Sequence, residues 1–279
     1  MIVVGVDGSQ EAQAAARWAV AEGKRRGLPV RLVHAYRVPP IGFPVSLLPA
    51  EDVRAEYEEQ GRRILAEVAH AGETRLVEAG TVDALVAESR QAELVVVGAR
   101  GAGGFEGLRA GSVATAVAAH GSCPVVVVRG HERTTGPVVV GVDGAPAGEA
   151  AIGFAFEAAS TRGAALRAVH VPSPLVVAGP DAAPRLAFDR DVLDREGERL
   201  LAQRLAGWQE QYPDVTVERR VVHETPAQAL LDHAEDAQLL VVGSHGHGGF
   251  VGMLLGSIGQ AMILHAPCPV AVVRPSEGR

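Results

Sequence analysis

The sequence predicts an α/β fold of two similar domains, each built from a five-stranded parallel sheet flanked by helices. Short apolar runs alternate with amphipathic stretches along the chain, which is typical of parallel α/β sheets. The first half also repeats in the second, because Val4–Gly8 reads Val-Gly-Val-Asp-Gly and Val140–Gly144 reads the same at an offset of 136 residues. The length of 279 residues is enough for two domains of this kind.

Each repeat alternates strands with helices. Apolar runs predict strands in the first repeat at residues 2–6, 30–36, 74–79, 94–98 and 124–129. Amphipathic periodicity predicts helices at residues 9–26, 51–70, 82–91 and 112–120. The second repeat has predicted strands near residues 137–142, 165–171, 215–222, 239–243 and 269–273, with helices between them. We therefore predict domains at residues 1–130 and 137–279, joined by a polar, glycine-bounded linker at 131–136.

The repeats differ in length around their second helix. The offset between them is 136 residues up to Ala202 and 145 residues at the segment after the fourth strand. Most of the nine extra residues lie between Ala202 and the next strand, around Gly207–Pro213, with one in the following helix. At 1.5 Å per residue, they lengthen the helix and its exit by about two turns. Proline-rich segments follow the second strand of each repeat, Arg37–Ala50 and Pro172–Ala187, and are predicted to be long, mobile loops near the site.

The composition excludes several classes of protein. The formal net charge is −7 and no cluster of basic residues is long enough for a phosphate backbone, so nucleic acid is not an expected partner. The one lysine of the chain is Lys24, and no hydroxyl residue follows it as one follows the lysine of a P-loop. Proteins of the P-loop type are therefore excluded. No signal peptide precedes the first strand, and no apolar run approaches the ~20 residues that cross a membrane. We expect a cytoplasmic protein without a membrane partner.

The two cysteines, Cys123 and Cys268, each precede a proline at equivalent places of the two repeats. We interpret them as small buried residues at the entry to a strand rather than as a disulfide. His120 and His265 lie at the end of the last predicted helix, where an imidazolium favours the negative end of the dipole. Each forms only a His-x-x-Cys pair, short of the four ligands of a structural zinc site, so no metal is predicted there.

A glycine pattern occurs in both repeats, after the fourth strand and at the start of the last helix. Both copies have two glycines three residues apart, then nine residues and a Gly-Ser pair: Gly98, Gly101, Gly111 and Ser112, and again Gly243, Gly246, Gly256 and Ser257. Glycines let the backbone approach an anion closely, and a helix N-terminus offers N–H donors and a favourable dipole. The pattern predicts a phosphate site in each repeat, with a generic glycine loop as the alternative.

Other polar residues are predicted at the same edge of each sheet. Asp7 and Asp143 follow the first strand, and His34 and His170 end the second. Ligands bind beyond the carboxyl ends of the strands in open parallel sheets. A ribose diol or an adenine edge could provide the donors that a half-buried aspartate needs. The alternatives are that the aspartates cap the following helix and that the histidines are hydrogen-bonded side chains at a strand end.

On these residues, the chain resembles a tandem universal stress protein of the ATP-binding kind. The resemblance runs from Val4–Ser9 through the glycine motif to Ser122–Val125, and again through the second repeat to Pro267–Val270. It implies that the two α/β domains are Rossmann-like, of the adenine nucleotide alpha hydrolase-like form. The repeats depart from each other at Ala145, which stands where the first repeat has Ser9, and at Arg100, where the second repeat has a histidine.

The resemblance also implies which residues hold ATP. The aspartate approaches adenine and ribose, the residue after the histidine of the second strand contacts adenine through its main chain, and the glycine motif holds the phosphates. The cofactor-binding residues predicted in this way are Gly5, Asp7, Ala35, Gly98, Arg100, Gly101, Gly111 and Ser112, and in the second repeat Gly141, Asp143, Val171, Gly243, His245, Gly246, Gly256 and Ser257. We expect both sites to bind ATP, and the presence of magnesium is left open.

The implied function is that of a regulatory nucleotide-binding protein of the stress or dormancy response, without catalytic residues. A slow ATPase or a nucleotidyl-transferring enzyme is the alternative. Phosphoryl transfer needs charged clamps, magnesium ligands and a positioned base, whereas the first loop offers Arg100 and Arg109 and the second only His245 and His247.

The resemblance further implies that the last strands of the two repeats pair inside one chain, Val125–Val128 with Val270–Val273. Such pairing would cover two edges that are otherwise prone to association. A homodimer and a protein partner of unknown identity are left open.

Overall fold

The computed structural model describes residues 1–38, 50–101, 110–172, 175–177, 185–187, 190–246 and 255–275. The chain divides into two compact units. The first contains Met1–Glu132 and Pro269–Val272, and the second contains Arg133–Cys268 and Val273–Arg279. Most of the last strand therefore clusters with the first unit.

The first repeat forms a parallel sheet of five strands: β1 (Ile2–Gly5), β2 (Val30–Tyr36), β3 (Glu73–Glu78), β4 (Leu94–Gly98) and β5 (Val125–Val128). They pair in the order β3-β2-β1-β4-β5. The chain winds from β1 toward β3 in one direction and continues at β4 on the other side of β1. The carboxyl ends of β1 and β4 therefore flank the point where ligands bind in open parallel sheets.

Helices flank this sheet: α1 (Gln10–Arg26), α2 (Ala50–Val68), α3 (Thr81–Ser89) and α4 (Ser112–His120). Helix α1 packs on β1 and β4, α2 packs on β2 and β3, and α3 packs against α4. The boundaries of α1 follow from its caps, because Ser9 Oγ accepts the Ala12 N–H at 3.1 Å and Gly27 ends the helix at a φ of 64°. The strands and helices of this repeat start and end within two residues of the predicted positions.

The second repeat has the same order of elements, with one addition. Its strands are β6 (Val138–Gly141), β7 (Leu166–His170), β8 (Leu175–Val177), β9 (Arg185–Ala187), β10 (Val217–Val221), β11 (Leu239–Gly243) and β12 (Val270–Val273). Its helices are α5 (Glu149–Arg162), α6 (Arg190–Gln211), α7 (Pro226–His233) and α8 (Ser257–His265). Strands β10, β7, β6 and β11 pair in that order, all parallel. The α/β fold class with a parallel sheet is confirmed.

The added strands β8 and β9 form a short antiparallel pair in which Leu175 lies opposite Ala187. The long loop predicted over Pro172–Ala187 is therefore wrong at these six residues. Two strands of three residues are too short to stand out among prolines, and an apolar run such as Leu-Val-Val readily pairs as a strand. The loop predicted at Arg37–Ala50 lies mostly outside the described residues, and Ala50 begins α2.

Strand β12 pairs antiparallel with β5, with Val270 opposite Val127 and Val272 opposite Val125. Both strands are buried along their whole length. The predicted pairing of Val125–Val128 with Val270–Val273 is therefore confirmed. It occupies the backbone edge that β5 would otherwise offer to another chain.

The extra residues of the second repeat lengthen α6. This helix ends at Gln211, seven residues beyond position 204, the equivalent of the end of α2 at Val68. Seven residues make about two turns, as predicted. Glu218 lies opposite Arg167 in the β7–β10 register, just as Glu73 lies opposite Arg31 in the first repeat. The offset between the repeats has therefore already reached its full value at β10. The prediction that one extra residue lies in the following helix is wrong.

Three aromatic rings fix the extension of α6 on α5. Trp208 and Tyr212 stack with Phe156 and with each other, with ring centroids 6.0–6.3 Å apart. Trp208 Nε1 also donates to Glu149 Oε1 at 2.5 Å. Gly153 of α5 leaves room for the indole, because a Cβ there would lie 2.5 Å from Trp208 Cη2. In the described part of the chain, no helix is both long enough and apolar enough to cross a membrane.

Candidate functional site

The segment after β1 is a tight turn held by Asp7. Its Oδ1 accepts the Ser9 N–H at 3.0 Å, and Gly8 adopts a φ of 85°, a conformation that favours glycine. The second repeat has the same turn, with Asp143 Oδ1 accepting the Ala145 N–H at 2.9 Å and Gly144 at a φ of 81°. Each aspartate is thus held half-buried at the carboxyl end of its strand.

The aspartates do not cap the following helices. Ser9 caps α1, and Asp7 holds the turn before it. In the second repeat, Ala145 leads into a short 3-10 turn at Pro146–Gly148, and α5 begins only at Glu149. Because Ala145 offers no side-chain oxygen, this helix starts later than α1 does. The capping alternative for the aspartates is therefore wrong, and the turn that replaces it leaves the carboxylate at the edge of the sheet.

The glycine motif meets the aspartate in both repeats. A Cβ on Gly101 would lie 2.6 Å from Asp7 Oδ2, so only glycine brings the backbone this close to the carboxylate. In the second repeat, a Cβ on Gly246 would lie 2.9 Å from Asp143 Oδ2. Segments more than ninety residues apart in sequence thus meet twice in the same way.

The last glycine of each motif closes the described part of the loop. Gly111 donates its N–H to Ala99 O at 2.7 Å, and Gly256 donates to Ser244 O at 2.8 Å. These two N–H groups are therefore hydrogen-bonded within the protein, and the phosphate contact of the glycine motif stays a prediction. The glycines begin α4 and α8 without a side-chain cap, and Ser112 and Ser257 are the exposed first residues of these helices.

The first glycine of each motif has a packing role. A Cβ on Gly98 would lie 2.8 Å from the carbonyl carbon of Glu11, so α1 approaches β4 closely at this point. In the second repeat, a Cβ on Gly243 would lie 3.1 Å from His245 O. Gly5 and Gly141 end the first strand of each repeat and make room for Leu85 and Leu230.

The charged residue between the glycines differs between the repeats. Arg100 donates from Nε to Glu11 Oε1 at 2.8 Å, and its Nη2 lies 2.5 Å from the same oxygen. At the equivalent position, His245 Nδ1 lies 3.1 Å from Ser244 Oγ. Two further loop residues named in the sequence analysis, Arg109 and His247, lie outside the described residues.

The residues predicted to contact adenine lie at the end of the second strand. Ala35 is paired with Val77 in β2, and Val171 directly follows β7; both are half-buried. The histidines before them have structural contacts, because His34 Nδ1 lies 2.7 Å from Val6 O and His170 Nδ1 lies 2.7 Å from Val142 O. Both histidines are therefore hydrogen-bonded, as in the alternative, but only His170 ends its strand, whereas His34 lies two residues before the end of β2.

Sequence reasoning missed three kinds of supporting residue. Gly8 and Gly144 are required by the positive φ of the turn, and the repeated Asp-Gly pair was the available signal. Gly61 lies where a Cβ would come within 2.9 Å of His34 Cδ2, which lets α2 pack against that ring. Arg204 of α6 donates to Gly144 O and so stabilises the turn of the second repeat. Its equivalent is Val68, so the sequence offered no repeated signal for it.

Two clefts in the described part of the chain are lined by residues other than the predicted site residues. One of about 750 Å³ is lined by residues of α2, β2 and β3, among them Tyr36, Glu58, Leu65 and Leu76. Another of about 310 Å³ is lined by Glu149 and residues of α6. Among the described residues, the candidate site is marked by the contact between glycine loop and aspartate.

The cysteines are buried and free, as predicted. Burial raises the pKa of the Cys123 thiol to about 12 because the thiolate is poorly solvated there. His120 Nδ1 lies 2.8 Å from Ala116 O at the end of α4. Over the ranges that the structure describes, no three His, Cys, Asp or Glu side chains are grouped so that they could hold a metal ion.

The fold and its two loops define a class of tandem α/β protein in which a glycine loop at the carboxyl edge of the sheet faces an aspartate from the first strand. The model of the universal stress protein family matches residues 1–129 and 134–274. A universal stress protein from Mycolicibacterium smegmatis is 40% identical over 291 residues, which cover 98% of this chain and 97% of the relative. The chain belongs to the universal stress protein family.

Two further comparisons agree with this membership. A universal stress protein from Mycobacterium tuberculosis is 39% identical over 292 residues, which cover 99% of this chain and 97% of the relative. The crystal structure of a universal stress protein from Archaeoglobus fulgidus superimposes with a TM-score of 0.69 at 20% identity, covering 98% of this chain and 97% of that one. The latter likeness shows the fold alone.

Proposed function

We propose that each repeat binds one ATP and that the protein is a regulatory nucleotide-binding protein of the stress or dormancy response. The observation that carries this proposal is the contact of Gly101 with Asp7, repeated by Gly246 and Asp143. It puts an acceptor for ribose or adenine beside a glycine loop that leads into a helix N-terminus. Such a pairing of acceptor and anion site suits a nucleotide.

Each part of the site has a distinct role in this proposal. The Asp7 carboxylate already accepts the Ser9 N–H, but a carboxylate has about four acceptor positions, so a ligand hydroxyl is compatible with that bond. The backbone of Ala35 meets adenine at the end of β2. Phosphates lie on the turn between Gly98 and Gly101 and at the start of α4, where the helix dipole favours an anion. The second repeat uses Asp143, Val171 and the second loop in the same way.

The charged residues of the glycine loops favour a regulatory role over phosphoryl transfer. Transfer needs cations that clamp the phosphates. Arg100 is paired with Glu11, and the second repeat has His245 at that position. The domain boundaries at 1–130 and 137–279 with the linker at 131–136 remain part of this proposal.

Thermal unfolding with and without ATP tests nucleotide binding. At a hundredfold excess over Kd, one occupied site stabilises the folded state by ~2.7 kcal/mol, so ATP raises the Tm of the wild type. Gly111→Leu and Gly256→Leu together abolish the shift. The three atoms nearest to a Cβ at 111 are Ala99 O, Arg100 Cα and Gly101 N, at 3.5–3.7 Å, which is ordinary van der Waals contact. The new side chain therefore fits at its base and covers the turn that would hold the phosphates.

Gly207→Leu is the matched control for these variants. A Cβ at Gly207 has nothing within 4 Å, and the residue is exposed on α6. This variant keeps the ATP-dependent shift. A wild type whose Tm does not respond to ATP refutes the proposal.

A further inference from the structure

The ion pair between Arg100 and Glu11 lies inside the first glycine motif. Arg100 stands between Gly98 and Gly101, and two of its nitrogens lie 2.5 and 2.8 Å from Glu11 Oε1. The Arg100 side chain is 53% exposed and that of Glu11 is 29% exposed. The one guanidinium of this turn is thus neutralised by a carboxylate while it still reaches solvent.

Glu11 is held at this place by the backbone. It is the second residue of α1, whose start is fixed by the Ser9 cap. The carbonyl carbon of Glu11 lies 2.8 Å from where a Cβ of Gly98 would be, so the helix and the loop are in contact. The backbone of Glu11 therefore stays beside the loop whether or not its carboxylate contacts Arg100.

The second repeat lacks both partners. Position 147, the equivalent of Glu11, is Ala147, and His245 stands in place of Arg100. Ala147 lies in the 3-10 turn at Pro146–Gly148 rather than in a helix. An anion at the second loop would therefore meet no carboxylate at this position.

We propose that Glu11 makes the first site discriminate against polyphosphate. The inference rests on the proposed function and adds the ligand preference of one site. A triphosphate at the first loop must either displace Glu11 from Arg100, which leaves the carboxylate unpaired beside the phosphates, or bind beside the intact ion pair without gaining the charge of the guanidinium. Both options make its binding weaker than it would be without Glu11. The nucleoside part of the ligand meets Asp7 and Ala35 and is unaffected. The first site thus favours nucleotides of lower phosphate charge than the second site does.

The test measures ATP and adenosine binding by calorimetry in full-length Gly256→Leu protein, in which the second site is blocked. Glu11→Ala, which introduces the residue of the second repeat, strengthens ATP binding about fivefold, the scale of a partly exposed charge pair. Adenosine affinity stays the same. Glu11→Gln keeps the size of the side chain and gives the same direction, should the alanine variant fold poorly.

Two controls test whether the gain in ATP affinity comes from the loss of the Glu11–Arg100 ion pair. Glu93 forms an exposed ion pair with the N-terminal ammonium at 3.0 Å and precedes β4, at the opposite end of the strands. Glu93→Ala therefore removes the same charge from the same unit without changing ATP affinity. In an Arg100→Ala background, Glu11→Ala gains less, because no guanidinium is released.

The outcomes separate this inference from the proposed function. Unchanged or weaker ATP binding in both Glu11 variants overturns the inference, as does an equal gain for adenosine. Failure of the wild type to bind either probe overturns the proposed function instead.

Discussion

At the scale of single residues, the site depends on backbone geometry more than on side-chain charge. The position of Asp7 after an apolar strand and before a glycine was sufficient to place it at the edge of the sheet. Its contact with Gly101 follows from the pairing of β1 with β4, which sequence spacing alone does not give. The partner of Arg100 could not be predicted either, because Glu11 is 89 residues away and reaches it only through the packing of α1 on β4.

Cys123 gives a prediction at this scale. Its raised pKa of about 12 keeps the thiol protonated in the folded protein, and the residue as a whole is only 8% exposed. We therefore expect no reaction with a disulfide reagent at pH 8 in the native state and two reactive thiols per chain in urea. Rapid reaction of the native protein would contradict the burial of these residues.

The raised pKa of Cys123 also makes stability depend on pH. Because the pKa of the thiol in the folded protein lies above the ordinary value of 9.0, the free energy of unfolding falls as the pH rises from about 9 toward 12.

At the scale of elements, the comparison of the repeats predicted the extension of α6 but not what it does. The offset gave its length, since 1.5 Å per residue converts extra residues into turns. The stacking of Trp208 and Tyr212 on Phe156 needs the crossing of α6 over α5, which is a tertiary property. The hairpin of β8 and β9 escaped prediction because pairing between two short segments leaves little trace in local composition.

Two glycine-to-alanine substitutions in neighbouring helices should change the free energy of unfolding in opposite directions. Gly207→Ala stabilises the second unit by up to ~1 kcal/mol, because alanine favours the helix and the site is open. Gly153→Ala destabilises it by about 1–3 kcal/mol, because its Cβ would lie 2.5 Å from the Trp208 ring. Urea unfolding followed by Trp208 fluorescence in a Trp18→Phe background measures both. Equal stabilisation by the two variants would show that Trp208 does not pack on α5.

At the scale of the whole molecule, duplication explains both the fold and the pair of candidate sites. The repeated order of strands was predictable because apolar runs and glycine signals recur in register. The pairing of β12 with β5 was expected from the resemblance and is present in the structure. The differences between the copies, Ser9 against Ala145 and Glu11 against Ala147, lie around the same turn. They leave the glycine–aspartate contact intact in both repeats, which is why we propose two sites rather than one.

The number of ATP molecules bound per chain tests this account most directly. Equilibrium dialysis at saturating ATP should give two per chain for the wild type and for Gly207→Leu. It should give one for Gly111→Leu or Gly256→Leu alone and none when the two are combined. Absence of binding to the wild type, or two ATP still bound by the combined variant, would contradict the assignment of a nucleotide site to each glycine loop.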